Sequence, residues 1–112
     1  MSGSIPECDW KYMKLMNASL LGGLCKRINK QSIAILKEDN SSEHEKYLKL
    51  YRHIQDSNGI IGECFNDWRR STLMMRLVAI QKHGLLSPDH LKQLTEGTQE
   101  TLKALEEIYK EE

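Results

Sequence analysis

The chain has 112 residues, 29% of them charged, and its sixteen basic side chains balance sixteen acidic ones. That balance excludes a global field drawing it toward nucleic acid or an anionic membrane, and the length suits one domain whose core a second subunit can complete. No apolar run approaches the roughly 18 residues of a membrane span, and Met1 to Pro6 lacks the basic and apolar regions of a signal peptide. Cys8, Cys25 and Cys64 are odd in number and form no CxxC pair, which reads as reduced thiols in a cytoplasmic protein.

With two prolines, one phenylalanine and a mean hydropathy of −0.57, the composition is that of a charged all-α protein. A short helix over 9–16 is anchored by Trp10 and Met13. Asn17 then suits the N-cap of a helix over 18–37, whose apolar face carries Leu21, Leu24, Ile28, Ile35 and Leu36. Asp39-Asn40-Ser41 makes the connection.

Ser42 and Glu45 have capping-box spacing, and an apolar-periodic stretch follows. Tyr47, Tyr51, Ile54, Asn58, Ile61, Phe65, Trp68, Thr72, Met75 and Ala79 alternate by four and three, the spacing of a heptad seam. The register does not slip at Asn58-Gly59, so a single long central helix is expected over 42–83, about 60 Å in length. His83-Gly84 suits its C-cap, with Leu85 and Leu86 available for the accompanying contact. Downstream, Ser87-Pro88 opens a helix over 88–95. Thr98 can cap a last helix over 98–110 bearing Leu102, Leu105, Ile108 and Tyr109.

Short connections make the flanking helices antiparallel to the central one. Folding about residue 40 brings Gly22-Gly23 opposite Asn58-Gly59, which predicts a close crossing. Folding about residue 86 brings Leu105 near Trp68 and Glu96 near Arg76, so an acidic C-terminal helix faces a basic segment. Two neighbours cannot enclose the apolar stretch from Thr72 to Ile80, and the expected architecture is a helical bundle completed by dimerisation.

The motifs of catalysis are missing. No histidine follows a glutamate by three residues, as carboxylate-bridged metal sites in bundles require, and no His or Cys pair has ligand spacing. Cys64 sits beside the seam as a core thiol, without the base and orienting group of a nucleophile. Gly22-Gly23 has no phosphate-loop surroundings. The sequence therefore implies no catalytic residue, no metal and no cofactor.

Two clusters are candidate binding groups. Trp68, Arg69 and Arg70 combine residue types that dominate protein interfaces, although Glu63, Asp67 and Arg70 have the spacing of ordinary ion pairs on a helix surface. Lys26, Arg27 and Lys30 form one basic cluster, and Lys49 with Arg52 another. Together they would make a phosphate-binding stripe. The preferred reading is a non-enzymatic homodimer that binds another protein, in the style of a small bacterial or phage adaptor or regulator. Nucleic-acid binding through the lysines and arginines is the alternative, and a bundle enclosing a small apolar ligand comes third.

Overall fold

The computed structural model describes residues 5–110, with side chains through residue 108. Met1 to Ser4 and the Tyr109 side chain, both included in the reading above, lie outside the described residues. All regular structure described is helical: α1 spans Glu7–Leu36, α2 Glu43–Phe65, α3 Leu73–Lys82, α4 Pro88–Lys92 and α5 Glu96–Lys110.

The two N-terminal helices expected over 9–16 and 18–37 are one element. Pro6 precedes the first turn, where Glu7 and Asp9 complement the helix dipole, and the helix then runs for thirty residues through Asn17 and Gly22-Gly23. Met13, Leu20, Leu24 and Ile28 recur on one face and are buried. Their packing outweighs the roughly 1 kcal/mol that each internal glycine costs relative to alanine.

The long central helix is interrupted. Residues 66–72 leave the helical path between α2 and α3. Asp67 adopts a left-handed backbone with φ +53°, a conformation that a short Asx side chain tolerates. Local bonds hold the bend. The Arg69 guanidinium donates twice to the Asp67 carboxylate, at 2.7 and 2.8 Å. The Thr72 hydroxyl donates to the Asp67 carbonyl at 2.6 Å and accepts from the Arg69 amide at 3.1 Å. Trp68 folds back, its indole N–H donating to the Cys64 carbonyl while its ring stacks on Phe65 at 5.9 Å. Heptad counting passes unchanged through such a bend because spacing carries no information about φ.

Asn58-Gly59, the turn-like pair, lies inside α2 as the register implied. The close crossing does not form, since a Cβ placed on Gly22, Gly23 or Gly59 would meet nothing within 4 Å.

The caps follow the sequence more closely. Ser42 and Glu45 form the reciprocal capping box at the start of α2. Gly84 has φ +69°, and the Leu85 amide closes the end of α3 onto the Ile80 carbonyl at 3.0 Å. Ser87 caps α4, with His90 in the place usually taken by glutamate. The last helix begins at Glu96 rather than Thr98, because Thr95 and Thr98 both bond to Asp9 near the start of α1. This displaces the expected pairing of α5. Leu105 lies in a groove with Met74, Met75, Arg76 and Val78, and Gln81 reaches Glu106.

The chain turns back at residues 37–42, and α2 retraces α1. Lys49 meets Glu38 at 3.0 Å, His53 donates to the Ile28 carbonyl at 3.1 Å, and Arg70 donates to the Ile5 carbonyl at 2.9 Å. The core sits at one end of this hairpin. Ile5, Met13, Leu20, Cys64, Leu73, Leu77, Ile80, Leu94 and Leu102 converge there from all the longer helices. The remainder of the hairpin projects from that base as an arm, in a molecule of 55 × 32 × 24 Å.

Candidate functional site

The arm is the part of the molecule that does not complete itself. Between Ile28 and Ser57 no residue is buried, although this stretch contains Ile33, Ile35, Leu36, Tyr47, Leu48, Leu50, Tyr51 and Ile54. Two helices in contact along one line cover only part of their apolar surface.

Which side is open follows from helix geometry. On α2 the residues turned toward α1 are Lys46, Leu50, His53, Ser57, Ile60 and Cys64, all half-buried or buried. The seam expected to be central lies one residue further on, about 100° around the helix. Its first members are accordingly exposed, with Tyr47 at 63%, Tyr51 at 54% and Ile54 at 41%. The period was right, and the face buried within one chain is the neighbouring one.

One flank of the hairpin carries its charges and its cover. Asp9 and Arg27 share a side of α1 by their spacing, and Glu38 follows just beyond its end, paired with Lys49; each is engaged. Asp9 accepts from Thr95 and Thr98. Arg27 donates to the His83 carbonyl at 2.6 Å, where α3 ends, and to that of Gly84. On the same side of α2, Glu63 meets His83 at 2.8 Å and Lys82 at 3.6 Å. The His83 hydrogen bond is the main cause holding the Glu63 carboxyl below its usual range, with burial opposing it.

The opposite flank has no cover, and its charged residues, Lys14, Lys26 and Glu43, lie along its edge and at its ends. Helical spacing places Ala18, Gly22, Cys25, Asn29, Ile33 and Leu36 of α1 there, beside Tyr47, Ile54, Asn58, Ile61 and Phe65 of α2. Tyr51 stands at its outer edge. None of these is an acidic or basic residue, and none is buried.

The residues singled out in the sequence fare differently. Trp68, Arg69 and Arg70 are brought together, but in the bend rather than on a helix face. Trp68 is half-buried on Phe65, Arg69 is held by Asp67, and Arg70 fastens the segment before α1. The expected ion-pair row through Glu63, Asp67 and Arg70 does not form, because Asp67 has left the helix. Arg69 keeps the Asp67 carboxyl below its usual range.

The five basic candidates do not make one stripe. Arg27 is bound to the end of α3 and Lys49 to Glu38, whereas Lys26, Lys30 and Arg52 are exposed. Sequence reasoning missed Asp9, which is 1% exposed and joins α1 to the start of α5. Its only sequence signal was an acid in a first helical turn.

Elsewhere the chemistry is sparse. Among the described residues no three His, Cys, Asp or Glu side chains converge to hold a metal ion. Cys64 is fully buried, and burial is the main cause pushing its thiol up to about 11, so it is not poised as a nucleophile. A groove of about 330 Å³ runs along α3 beside Leu105, with Met74, Met75 and Val78 as apolar lining and Glu63, Arg76 and Lys82 as charged groups. No helix among the described residues is long and apolar enough to cross a membrane. Set against family models, curated proteins and solved structures, the chain matches none.

Proposed function

We propose that this chain is a non-enzymatic protein–protein interaction or regulatory protein that works as a homodimer, with the open flank of the α1–α2 arm as its pairing surface. The observation that carries this reading is the arm itself: eight large apolar residues lie between Ile28 and Ser57 and none is buried. Such a concentration of apolar surface on an extended arm is characteristic of a contact face. A second copy brings two more helices, and four helices enclose what two leave open.

The nucleic-acid reading has less support. Arg27 and Lys49 have partners within the chain, and the formal net charge is zero. Sedimentation equilibrium at micromolar concentration tests the proposal. A mass of twice 13.0 kDa is expected, and a compact particle of 13.0 kDa overturns it.

A further inference from the structure

Two helices of this chain begin on the same reciprocal cap, and the caps differ in one residue. At the start of α2 the Ser42 amide donates to the Glu45 carboxylate at 3.2 Å, and the Ser42 hydroxyl accepts from the Glu45 amide at 3.1 Å. At the start of α4 the Ser87 hydroxyl accepts from the His90 amide at 3.2 Å. The Ser87 amide, however, donates to a ring nitrogen, Nδ1 of His90, at 3.0 Å. The Ser87 hydroxyl stands 2.9 Å from the same nitrogen.

A backbone N–H only donates, so Nδ1 presents its lone pair here and the proton of the neutral ring sits on Nε2. An imidazolium carries hydrogen on both nitrogens and has no lone pair to offer. Protonation of His90 therefore removes the acceptor and sets two N–H groups against each other across 3.0 Å. The α2 cap behaves differently. Its Ser42 amide bond is the main cause holding the Glu45 carboxyl below the ordinary value of 4.5, so that cap persists as the pH falls toward that value.

We propose that the His90 cap is a pH-sensitive latch, which holds the start of α4 while the imidazole is neutral and releases it when the ring takes a proton. Histidine changes charge between about pH 5 and 8, a range in which the Glu45 cap stays closed. The latch does not depend on the pairing proposed above.

The surroundings supply no compensating acceptor. Within α4 the ionisable neighbours are Asp89 and Lys92. On the groove that Leu91 lines, α5 presents Glu100, Lys103 and Glu106, and α3 presents the uncharged Gln81. From α1 comes Asp9, already committed to Thr95 and Thr98. Among the described residues the hydrogen bonds of the His90 ring are those with Ser87. Release is local, because the next anchors along the chain, buried Leu94 and the Thr95 bonds to Asp9, do not involve the ring.

His90→Gln tests the latch in the full chain, since glutamine offers the Ser87 amide an acceptor that takes no proton. The other three histidines are common to both proteins and cancel in the comparison. From about pH 8 to about pH 5.5 the melting temperature of the parent should fall by about 3 °C more than that of H90Q. Equal falls in the two proteins overturn the latch. A second measurement needs no variant: in nuclear magnetic resonance spectra of the parent chain, the Ser87 amide proton should shift with the same midpoint as the His90 ring. A Ser87 amide that holds its position while the ring titrates overturns it as well.

Discussion

The carboxylate of Asp9 accepts the Thr98 hydroxyl at 2.5 Å, joining the first turn of α1 to the first turn of α5 across 89 residues of sequence. Thr95 adds its amide at 2.9 Å and its hydroxyl at 2.7 Å. A carboxylate buried to 1% exposure is tolerable only with such donors around it. Asp9→Ala leaves those donors unanswered and should cost about 3 kcal/mol, whereas Asp9→Asn retains one acceptor and should cost less. Urea denaturation followed by circular dichroism checks the order. Equal stability of the two variants and the parent would remove Asp9 from the role given it here.

Glu63 makes stability depend on pH in a defined direction. Its folded pKa is depressed below the ordinary value of 4.5, chiefly by the His83 hydrogen bond. The contribution is therefore complete above about pH 4.5 and is lost as pH falls through the lowered value. Because the Glu63 side chain is 43% exposed, solvent screening keeps that contribution under about 1 kcal/mol. Thermal melts of Glu63→Gln and parent chain should differ at pH 7 and converge as the pH falls through the depressed Glu63 value. A gap that widens on acidification would contradict the assignment.

Two glycines in exposed positions should respond in opposite ways. Gly84 holds φ +69° at the end of α3, so Gly84→Ala should destabilise by about 1 kcal/mol. Gly23 lies within α1, and an added Cβ would touch nothing within 4 Å. Gly23→Ala should stabilise by up to about 1 kcal/mol. Melting temperatures of the pair, measured side by side, settle the sign of each.

The thiols should separate by accessibility. Cys8 is exposed, and Cys64 is buried with its thiol pushed up to about 11. At pH 8 a disulfide reagent should titrate Cys8 readily and leave Cys64 silent until urea unfolds the chain. Fast modification of Cys64 in the native protein, located by peptide mass spectrometry, would show that the base of the arm is open.

The caps were legible because they are local: Ser42 with Glu45, Ser87 with Pro88, and Gly84 each act within a few residues. Helix type was legible from periodicity. The bend at Asp67 was not, since Asn66-Asp67 permits a left-handed backbone without requiring one, and the apolar spacing on either side stayed in phase. Which of two adjacent seams on α2 turns inward was equally hidden. Tyr47, Tyr51 and Ile54 make a more apolar start to a row than Lys46, Leu50 and His53, yet it is the mixed row through Lys46, His53 and Ser57 that faces α1, with His53 bonded to Ile28. The choice is made by Asp9, Arg27 and Glu63, which fasten α3 and α5 to one flank through contacts 20 or more residues away.

The unbroken course of α1 gives the molecule the mechanics of a ruler. Its thirty residues span about 45 Å with no joint. One end is fixed to the start of α5 through Asp9, and the other carries Ile33 and Leu36 out to the tip. Distance between the anchored base and whatever the tip touches is thus set by residue count. Adding or deleting a whole helical turn would move the contact along the axis, while a single inserted residue would rotate it out of alignment.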